Sequence, residues 1–406
     1  MNKLLCILFF SFSFFLSIKT SISNTFFILI TITILIDFIF ISKPRKLNYK
    51  ELIYSTAPLF IISIVGLTWS LNFKNGLHIL GKQATLFLIP FVFLLIYEKQ
   101  KEQIVKYSLL GLVFGSVLTS VVLLTNTTFK IVTSIEDITI SKIFSSFYTS
   151  HRYTDIITSI DPSYLGIYSL TALAVVTLEK LSFSKKIKVL FSIILMISLL
   201  FINSRIIFLG LILLLILKIV LIKRIKNRII VSVIISFSIA ISLFTLKDSY
   251  VYKKAFVGSF WELGNNIGTS NTSDSIKSDS RLARWNCAIE KGKKNLFLGS
   301  GIGSELDVLI PCYKENNMII AYEKNFNTHN QFLSYFVTLG IIGVLIFFFF
   351  FYINFFKAIQ NKNILALFFF ISIFLMCLIE NIFARNAGII FFAMYTSLFN
   401  LKIKSA

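Results

Sequence analysis

Twelve runs of apolar residues divide this chain, and a water-soluble core cannot absorb them. The runs lie at about 4–18, 25–41, 52–69, 77–97, 104–125, 161–178, 189–203, 206–222, 229–246, 330–356, 364–379 and 387–401. A helix needs roughly 20 apolar residues to cross the ~30 Å hydrocarbon layer of a bilayer. Inside that layer only helices and closed barrels satisfy their own backbone polar groups. Runs this long and this unbroken predict helices, so the fold class is an all-α polytopic membrane protein with about 12 transmembrane helices. Composition agrees: 56% of the 406 residues are hydrophobic, Phe alone occurs 45 times, and the mean hydropathy is +0.82.

The formal net charge of +21 raises the question of nucleic acid. The basic residues do not gather into one patch. They lie in short clusters between apolar runs, which is the positive-inside pattern, and nucleic-acid binding is rejected. With the N-terminus cytoplasmic, the inside loops collect Lys43, Arg45, Lys46 and Lys50, then Lys99, Lys101 and Lys106, then Lys180, Lys185, Lys186 and Lys188. Lys218, Lys223, Arg224, Lys226 and Arg228 follow, and then Lys357, Lys362, Lys402 and Lys404. The same loops hold only Glu51, Glu98, Glu102 and Glu179 as acids. Both termini are therefore expected in the cytoplasm. The first run follows Lys3 with no small-x-small cleavage site after it, so it is expected to be a retained helix.

Three blocks result. Residues 1–246 are expected to hold transmembrane helices 1–9, with a shorter periplasmic loop near 126–160. Residues 247–328 form a large periplasmic loop with short amphipathic helices, and 329–406 hold helices 10–12. No Walker loop or Rossmann glycine pattern is present, so ATP or a nucleotide sugar is not the direct substrate.

Against this apolar background, Arg205, Arg281, Arg284, His329, Glu380 and Arg385 all thread to the outer face. Charges beside hydrocarbon are costly, and a convergent set marks a functional site by default. Arg205 follows Asn203-Ser204 between two runs with almost no loop; the plain alternative is a snorkelling helix anchor. In residues 278–295, Ser278, Asp279 or Ser280 can cap a helix. Arg281 and Arg284 are then i,i+3 and share a face. As a pair they can clamp diphosphate oxygens through bidentate forks; the plain alternative is anchoring to headgroup phosphates. Gly299 and Gly301, in GSGIGS, would support such a site or simply form a turn.

Asn327 or Thr328 can cap the helix that follows, which puts His329 in its first turn. The positive helix end favours a neutral imidazole there, able to take a proton from a sugar hydroxyl. His78 and His151 lack comparable neighbours. Glu380 and Arg385 would support the arginines or form an internal salt bridge. No metal motif occurs, no HExxH and no clustered His/Cys, and no cofactor is expected. Cys287 and Cys312 both fall in the outer loop, where they are expected to pair as a disulfide.

The order of these motifs resembles the O-antigen ligase and O-antigen polymerase superfamily of bacterial membrane glycosyltransferases. The matching elements are Ser204-Arg205, Arg281 four residues before Trp285, the glycine turn at 299–303, and His329-Asn330-Gln331-Phe332-Leu333 followed by Leu339-Gly340-Ile341-Ile342-Gly343. DPSYLGIYSL at 161–170, ENIFARNAGIIFF at 380–392 and GLTWSLNFKNGLHILGKQATLFLIP from Gly66 are also similar, so the likeness covers about residues 50–400. Two features depart from the pattern: Asn295-Leu296-Phe297-Leu298 lacks the proline often found before the glycine turn, and Asp161 stands where many relatives carry His. Arg284 matches no family position.

The resemblance implies a metal-independent, inverting, GT-C-like enzyme of the inner membrane with its active site facing the periplasm. It would move a glycan from undecaprenyl diphosphate to lipid A-core as an O-antigen ligase, or to another lipid-linked glycan as a polymerase. Arg205 and Arg281 would hold the diphosphate, and His329 would activate the acceptor hydroxyl. From another class comes a flippase or transporter of lipid-linked sugar. That reading predicts midplane charges and internal repeats. Asp37 is the only clear mid-to-inner acid within a run, and no repeat is evident.

Overall fold

The computed structural model describes residues 2–41, 49–135, 137–155, 158, 160–179, 181, 183–222, 225, 230, 245, 247–268, 270–272, 275–277 and 279–404. The expected span at 229–246 lies almost wholly outside the described residues. So do Ser278 and the basic residues Lys43, Arg45, Lys46, Lys180, Lys223, Arg224, Lys226 and Arg228.

The described chain is overwhelmingly helical. Its helices are α1 (Asn2–Leu16), α2 (Thr20–Ile36), α3 (Lys50–Ile53), α4 (Ala57–Leu67), α5 (Phe73–Gln83), α6 (Thr85–Leu94), α7 (Glu98–Ser134), α8 (Ile140–Ile143), α9 (His151–Thr154) and α10 (Pro162–Leu178). Then come α11 (Lys185–Ile202), α12 (Arg205–Val220), α13 (Tyr250–Ala255), α14 (Val257–Leu263), α15 (Arg281–Lys294), α16 (Glu305–Glu315), α17 (Ile319–Glu323), α18 (Gln331–Gln360), α19 (Ile364–Cys377) and α20 (Asn386–Lys404). Between α14 and α15, Ser270–Thr272 pairs antiparallel with Ser275–Lys277.

Among the described residues, four helical stretches are long and apolar enough to cross a membrane: Thr20–Phe40, Phe73–Leu94, Glu98–Ser134 and Gln331–Gln360. Shorter apolar helices occupy other expected runs, among them α1, α4, α10 and α19. The expected 52–69 run is divided into α3 and α4, and 77–97 into α5 and α6. Conversely, α7 continues about 55 Å, well beyond 104–125, because no Gly or Pro lies between Ser116 and Ser134 to stop it.

The chain forms two compact units. Unit 1 comprises Met1–Thr33, Gln103–Gly258 and Asn363–Ser372; unit 2 comprises Ile34–Glu102, Ser259–Lys362 and Ile373–Ala406.

In unit 1, α1 lies directly on α7. Gly111 and Gly115, one turn apart, meet the backbone of Phe10 and Phe14, and a Cβ at either would overlap a carbonyl. This is the small-residue contact by which helices approach closely in lipid. Ser17 Oγ and Ser116 Oγ, 3.0 Å apart, tie the same seam. Helix α10 is buried from Pro162 to Val176 and packs on α11 and α12, with Gly166 against Ile207 and Gly210 against Leu170. Asp161 caps it by accepting from Ser163 N–H at 2.9 Å, with Pro162 at the first helical position. Helix α11 ends at Asn203 in a left-handed conformation (φ 47°), and α12 begins two residues later at Arg205.

In unit 2, α20 packs on α5 and α6, and α18 packs on α4. Pro90 in α6 removes the N–H that would bond Leu86 C=O, and Thr56 Oγ1 donates to that carbonyl instead at 2.6 Å. Helices α15 to α17 bury a small core on the first half of α18, containing Ala283, Leu309, Tyr313, Met318, Ala321 and Val337. A disulfide joins Cys287 of α15 to Cys312 of α16 within that core, with Cα atoms 5.9 Å apart.

Helix α18 is kinked at Gly340 (φ 64°, ψ −162°), which interrupts its hydrogen-bond ladder. The segment before α16 repairs the break. Ser300 N–H and Gly301 N–H donate to the carbonyls of Val337 (2.9 Å) and Thr338 (2.8 Å), and Ile341 N–H donates to Leu296 C=O (2.8 Å). Gly299 and Gly301 hold positive φ, and a Cβ on Gly301 would overlap the Ser70 backbone. The kinked helix, the glycine turn and the α4–α5 link thus form one knot that positions the start of α18.

Candidate active site

The start of α18 carries the histidine. Asn330 is its cap, its side chain accepting from Phe332 N–H (3.0 Å) and Leu333 N–H (3.1 Å). This corrects the expectation of a cap at Asn327 or Thr328, with His329 in the first helical turn. His329 instead precedes the helix with φ 46°, held by an Asx turn in which Asn327 Oδ1 accepts its N–H at 2.9 Å. The cause is the Asn330 side chain, which serves two helix amides at once and so starts the helix two or three residues later than expected. The left-handed residue turns the imidazole out of the helix toward the α19–α20 link.

There it meets Glu380, whose Oε2 lies 3.2 Å from His329 Nδ1. With Nδ1–H donated to the carboxylate, the neutral ring keeps its lone pair on Nε2. Glu380 Oε1 lies 3.8 Å from Arg281 Nη2, so one carboxylate faces both the histidine and an arginine. Burial pushes the Glu380 carboxyl upward. The His329 hydrogen bond and the charges of His329, Arg281 and Arg385 outweigh it, and the group titrates below the usual Glu value.

Arg281 and Arg284 differ sharply despite their i,i+3 spacing. Ser280 is the cap of α15, its Oγ accepting from Ala283 N–H at 3.2 Å. Arg281 backbone N–H donates to Glu262 Oε2 at 2.8 Å, while its side-chain Nε is buried without a hydrogen-bond partner among the described residues. Arg284 is 3% exposed. Its guanidinium lies 3.9 Å from Glu262 Oε2, within 3.5 Å of Asn327 C=O, and 5.1 Å from the Phe326 ring centre. Phe326 in turn packs edge-on against the His329 ring at 6.0 Å. Arg284 therefore props the histidine loop from beneath.

A second carboxylate, Glu305 at the start of α16, ties the neighbouring strands of chain together. It accepts from Thr328 N–H (3.0 Å), Ser334 Oγ (2.6 Å) and Asn381 Nδ2 (3.2 Å). Trp285 Nε1 donates to Thr328 C=O at 2.9 Å. Asp279, fully buried, accepts from Gly268 N–H and Ala321 N–H. Glu262 and Glu305 were not singled out by the sequence; Asp279 was, but as a candidate helix cap, and Asn381 only as the neighbour of Glu380. Only the placement of Glu305 just after the glycine turn could have pointed to one of the two.

Arg281, Arg284, His329 and Glu380 are thus brought together within unit 2, and Arg385 lies exposed in the same α19–α20 link. Gly299 and Gly301 support from a distance: the amides of Ser300 and Gly301 are engaged by α18, and that of Ile302 by Gly66 C=O at 3.2 Å. Arg205 belongs to unit 1. Its Nε donates to Lys254 C=O at 3.4 Å, and Lys254 Nζ donates to Ser150 Oγ at 2.7 Å.

In unit 2 a base-competent nitrogen and a guanidinium flank one half-buried carboxylate. That arrangement can take a proton from a hydroxyl and hold an anion. Residues 190–348 match the family model described as O-antigen ligase. The matched segment includes Arg205, Arg281, Arg284, the glycine turn and His329, and ends before Glu380. Comparison with curated proteins finds no match.

Proposed function

With an O-antigen ligase domain at residues 190–348, the chain stands in the O-antigen ligase/polymerase superfamily, and from that premise we propose that it is an O-antigen ligase. It transfers a glycan from undecaprenyl diphosphate to a hydroxyl of lipid A-core, at the outer face of the bacterial inner membrane. The observation that carries the reading is the 3.2 Å contact of His329 Nδ1 with Glu380 beside Arg281.

In this reading Glu380 orients the imidazole, and His329 Nε2 accepts the acceptor hydroxyl's proton. The hydroxyl oxygen bonds to the anomeric carbon from the face opposite the leaving group, and inversion follows. The carbon–oxygen bond to the diphosphate breaks with its electron pair, and undecaprenyl diphosphate departs. Arg281 receives the developing charge; its buried, unpartnered Nε supplies a donor that a phosphate oxygen would satisfy. Arg205 is assigned to diphosphate binding on the family resemblance alone. Arg284 is assigned to holding the histidine loop, because its guanidinium is already enclosed by Glu262, Asn327 and Phe326.

The test is a lipopolysaccharide gel of a deletion strain complemented with wild type or His329→Ala. Bare core with lipid-linked polymer accumulating is the expected result for both the deletion and the variant. Core carrying a single repeat would assign the polymerase reaction instead. An unchanged ladder in the deletion strain would overturn both.

A further inference from the structure

The two members of the His329–Glu380 pair have chain neighbours that share one carboxylate. Thr328 is the residue before His329, and Asn381 is the residue after Glu380. Glu305, at the start of α16, holds both. Its Oε1 accepts from Thr328 N–H at 3.0 Å and lies 3.0 Å from Thr328 Oγ1. Asn381 Nδ2 donates to both of its oxygens, at 3.2 and 3.3 Å. Thr328 Oγ1 and Asn381 Oδ1 are themselves 3.2 Å apart, which closes a triangle.

This clamp acts on a strained point. His329 holds φ 46°, a left-handed conformation that a residue with a Cβ keeps only where its surroundings fix it. Thr328 and Asn381 are both buried. Glu305 is itself fixed from two sides. Ser334 Oγ, in the first turn of α18, donates to its Oε2 at 2.6 Å. Ser304, just before it, donates through Oγ to Ser300 C=O at 2.8 Å, inside the glycine turn that mends α18. Among the described residues, the groups that donate to Glu305 are neutral, so the clamp depends on reach. Phe383 N–H donates to Gln331 Oε1 at 3.0 Å and ties the same two segments further out. Weakening the Glu305 clamp therefore loosens the pair without parting the segments.

We propose that Glu305 is a positioning residue, whose side-chain length sets the separation and direction of His329 and Glu380 through Thr328 and Asn381. The proposal rests on the reading of His329 as the base of the transfer. A base must lie within hydrogen-bond reach of the proton it takes, and a misplacement of about 1 Å can cost about 10²-fold in rate. Reach and charge can be separated by substitution. Glu305→Asp keeps the charge but is one methylene too short to serve Thr328 and Asn381 together. Glu305→Gln keeps the length. Its oxygen still accepts from Thr328 and Asn381, and its NH₂ donates to Ser334 Oγ, which can accept.

The test joins transfer kinetics to nitrogen magnetic resonance of the purified full chain, labelled at histidine. The donor is undecaprenyl diphosphate-linked glycan and the acceptor is lipid A-core. The chain has three histidines, and His329→Ala identifies the signal of interest. Wild type should show Nδ1–H at His329, the tautomer whose proton Glu380 accepts. Glu305→Asp should lose that fixed tautomer and lower kcat by about 10- to 10²-fold, with donor KM and melting temperature near wild type. Glu305→Gln should keep both the tautomer and the rate. A wild-type rate in Glu305→Asp beside an impaired Glu305→Gln would overturn the proposal, because charge and not reach would then matter. A rate loss in Glu305→Asp that follows melting temperature, with the tautomer unchanged, would also overturn it. If the tautomer behaves as stated but wild type transfers no glycan, the positioning role stands and the transferase reading falls.

Discussion

Glu380 Oε2 lies 3.2 Å from His329 Nδ1, across 51 residues of sequence, and its other oxygen faces Arg281 at 3.8 Å. A single carboxylate thereby sets the direction of the histidine ring and faces the arginine beside it. His329→Ala should lower transfer by about 10²- to 10⁴-fold, the span of general-base catalysis, with protein level near wild type. Glu380→Gln should lower kcat with a smaller effect on donor KM, because the base is misdirected while Arg281 remains. Single-turnover transfer with purified protein checks both, and normal rates in either variant would remove the residue from the mechanism.

The Glu380 carboxyl titrates below its usual value in the folded protein, so the sign of its pH effect follows. Its contribution to stability is complete above the ordinary Glu pKa of ~4.3 and is lost as pH falls through the lowered folded value. Thermal unfolding of wild type and Glu380→Gln should therefore differ at about pH 5 and above, and the difference should shrink as pH falls below about 5. A gap that widened below about pH 5 would contradict an anionic Glu380 in the folded state.

Arg281 and Arg284 should separate into function and stability. Arg281→Lys replaces a fork with a point charge and should raise donor KM with little change in melting temperature. Arg284→Ala removes a 3%-exposed cation from Glu262 and should destabilise by about 3–5 kcal/mol, the range for breaking a buried pair. Paired thermal-shift and donor-binding measurements distinguish them; equal stability loss in both would refute the division.

The Cys287–Cys312 disulfide closes a loop with a sequence separation of 25. Chain entropy alone assigns it about 3.5 kcal/mol. Cys287→Ser should lower the unfolding temperature, and reductant should do the same to wild type only. Mass-spectrometric mapping of unreduced protein that found both thiols free would dismiss the bridge.

Gly301→Ala should sharply reduce folded protein, because the position has positive φ and its Cβ would overlap Ser70. Gly81→Ala is the control: nothing lies within 4 Å of a Cβ there, and alanine favours a helix by about 1 kcal/mol. Comparable yields of the two variants would mean that the knot at the α18 kink tolerates rearrangement.

The helices were legible in the sequence because their cause is local. Apolar runs, the Asp161-Pro162 start of α10 and the Ser280 start of α15 are all properties of neighbouring residues; the extension of α7 past 125 was not expected. Arg281, Arg284, His329 and the two loop cysteines stand out for the same reason, since each is an exception within its own segment. The start of α18 was misjudged by two or three residues because Asn327, Thr328 and Asn330 are all competent, and their competition is settled by which side chain other segments engage. Thr328 is held by Glu305, and Asn330 alone caps.

What only the tertiary structure decided was the division of labour among residues of one type. Arg281 and Arg284 have the same chemistry and share a helix, but one has a buried Nε without a partner among the described residues and the other is enclosed. Gly299 and Gly301 could have opened their loop to a phosphate, yet the amides of Ser300 and Gly301 close the break in α18. Glu305 looks like any helix-start acid until Thr328, Ser334 and Asn381 are folded around it. In each case the deciding partner comes from a distant segment. Short-range pattern determines where a helix can form and which residues are costly there. The free energy of burial and hydrogen-bond satisfaction, set by segments brought together from far apart, determines what each of those residues does.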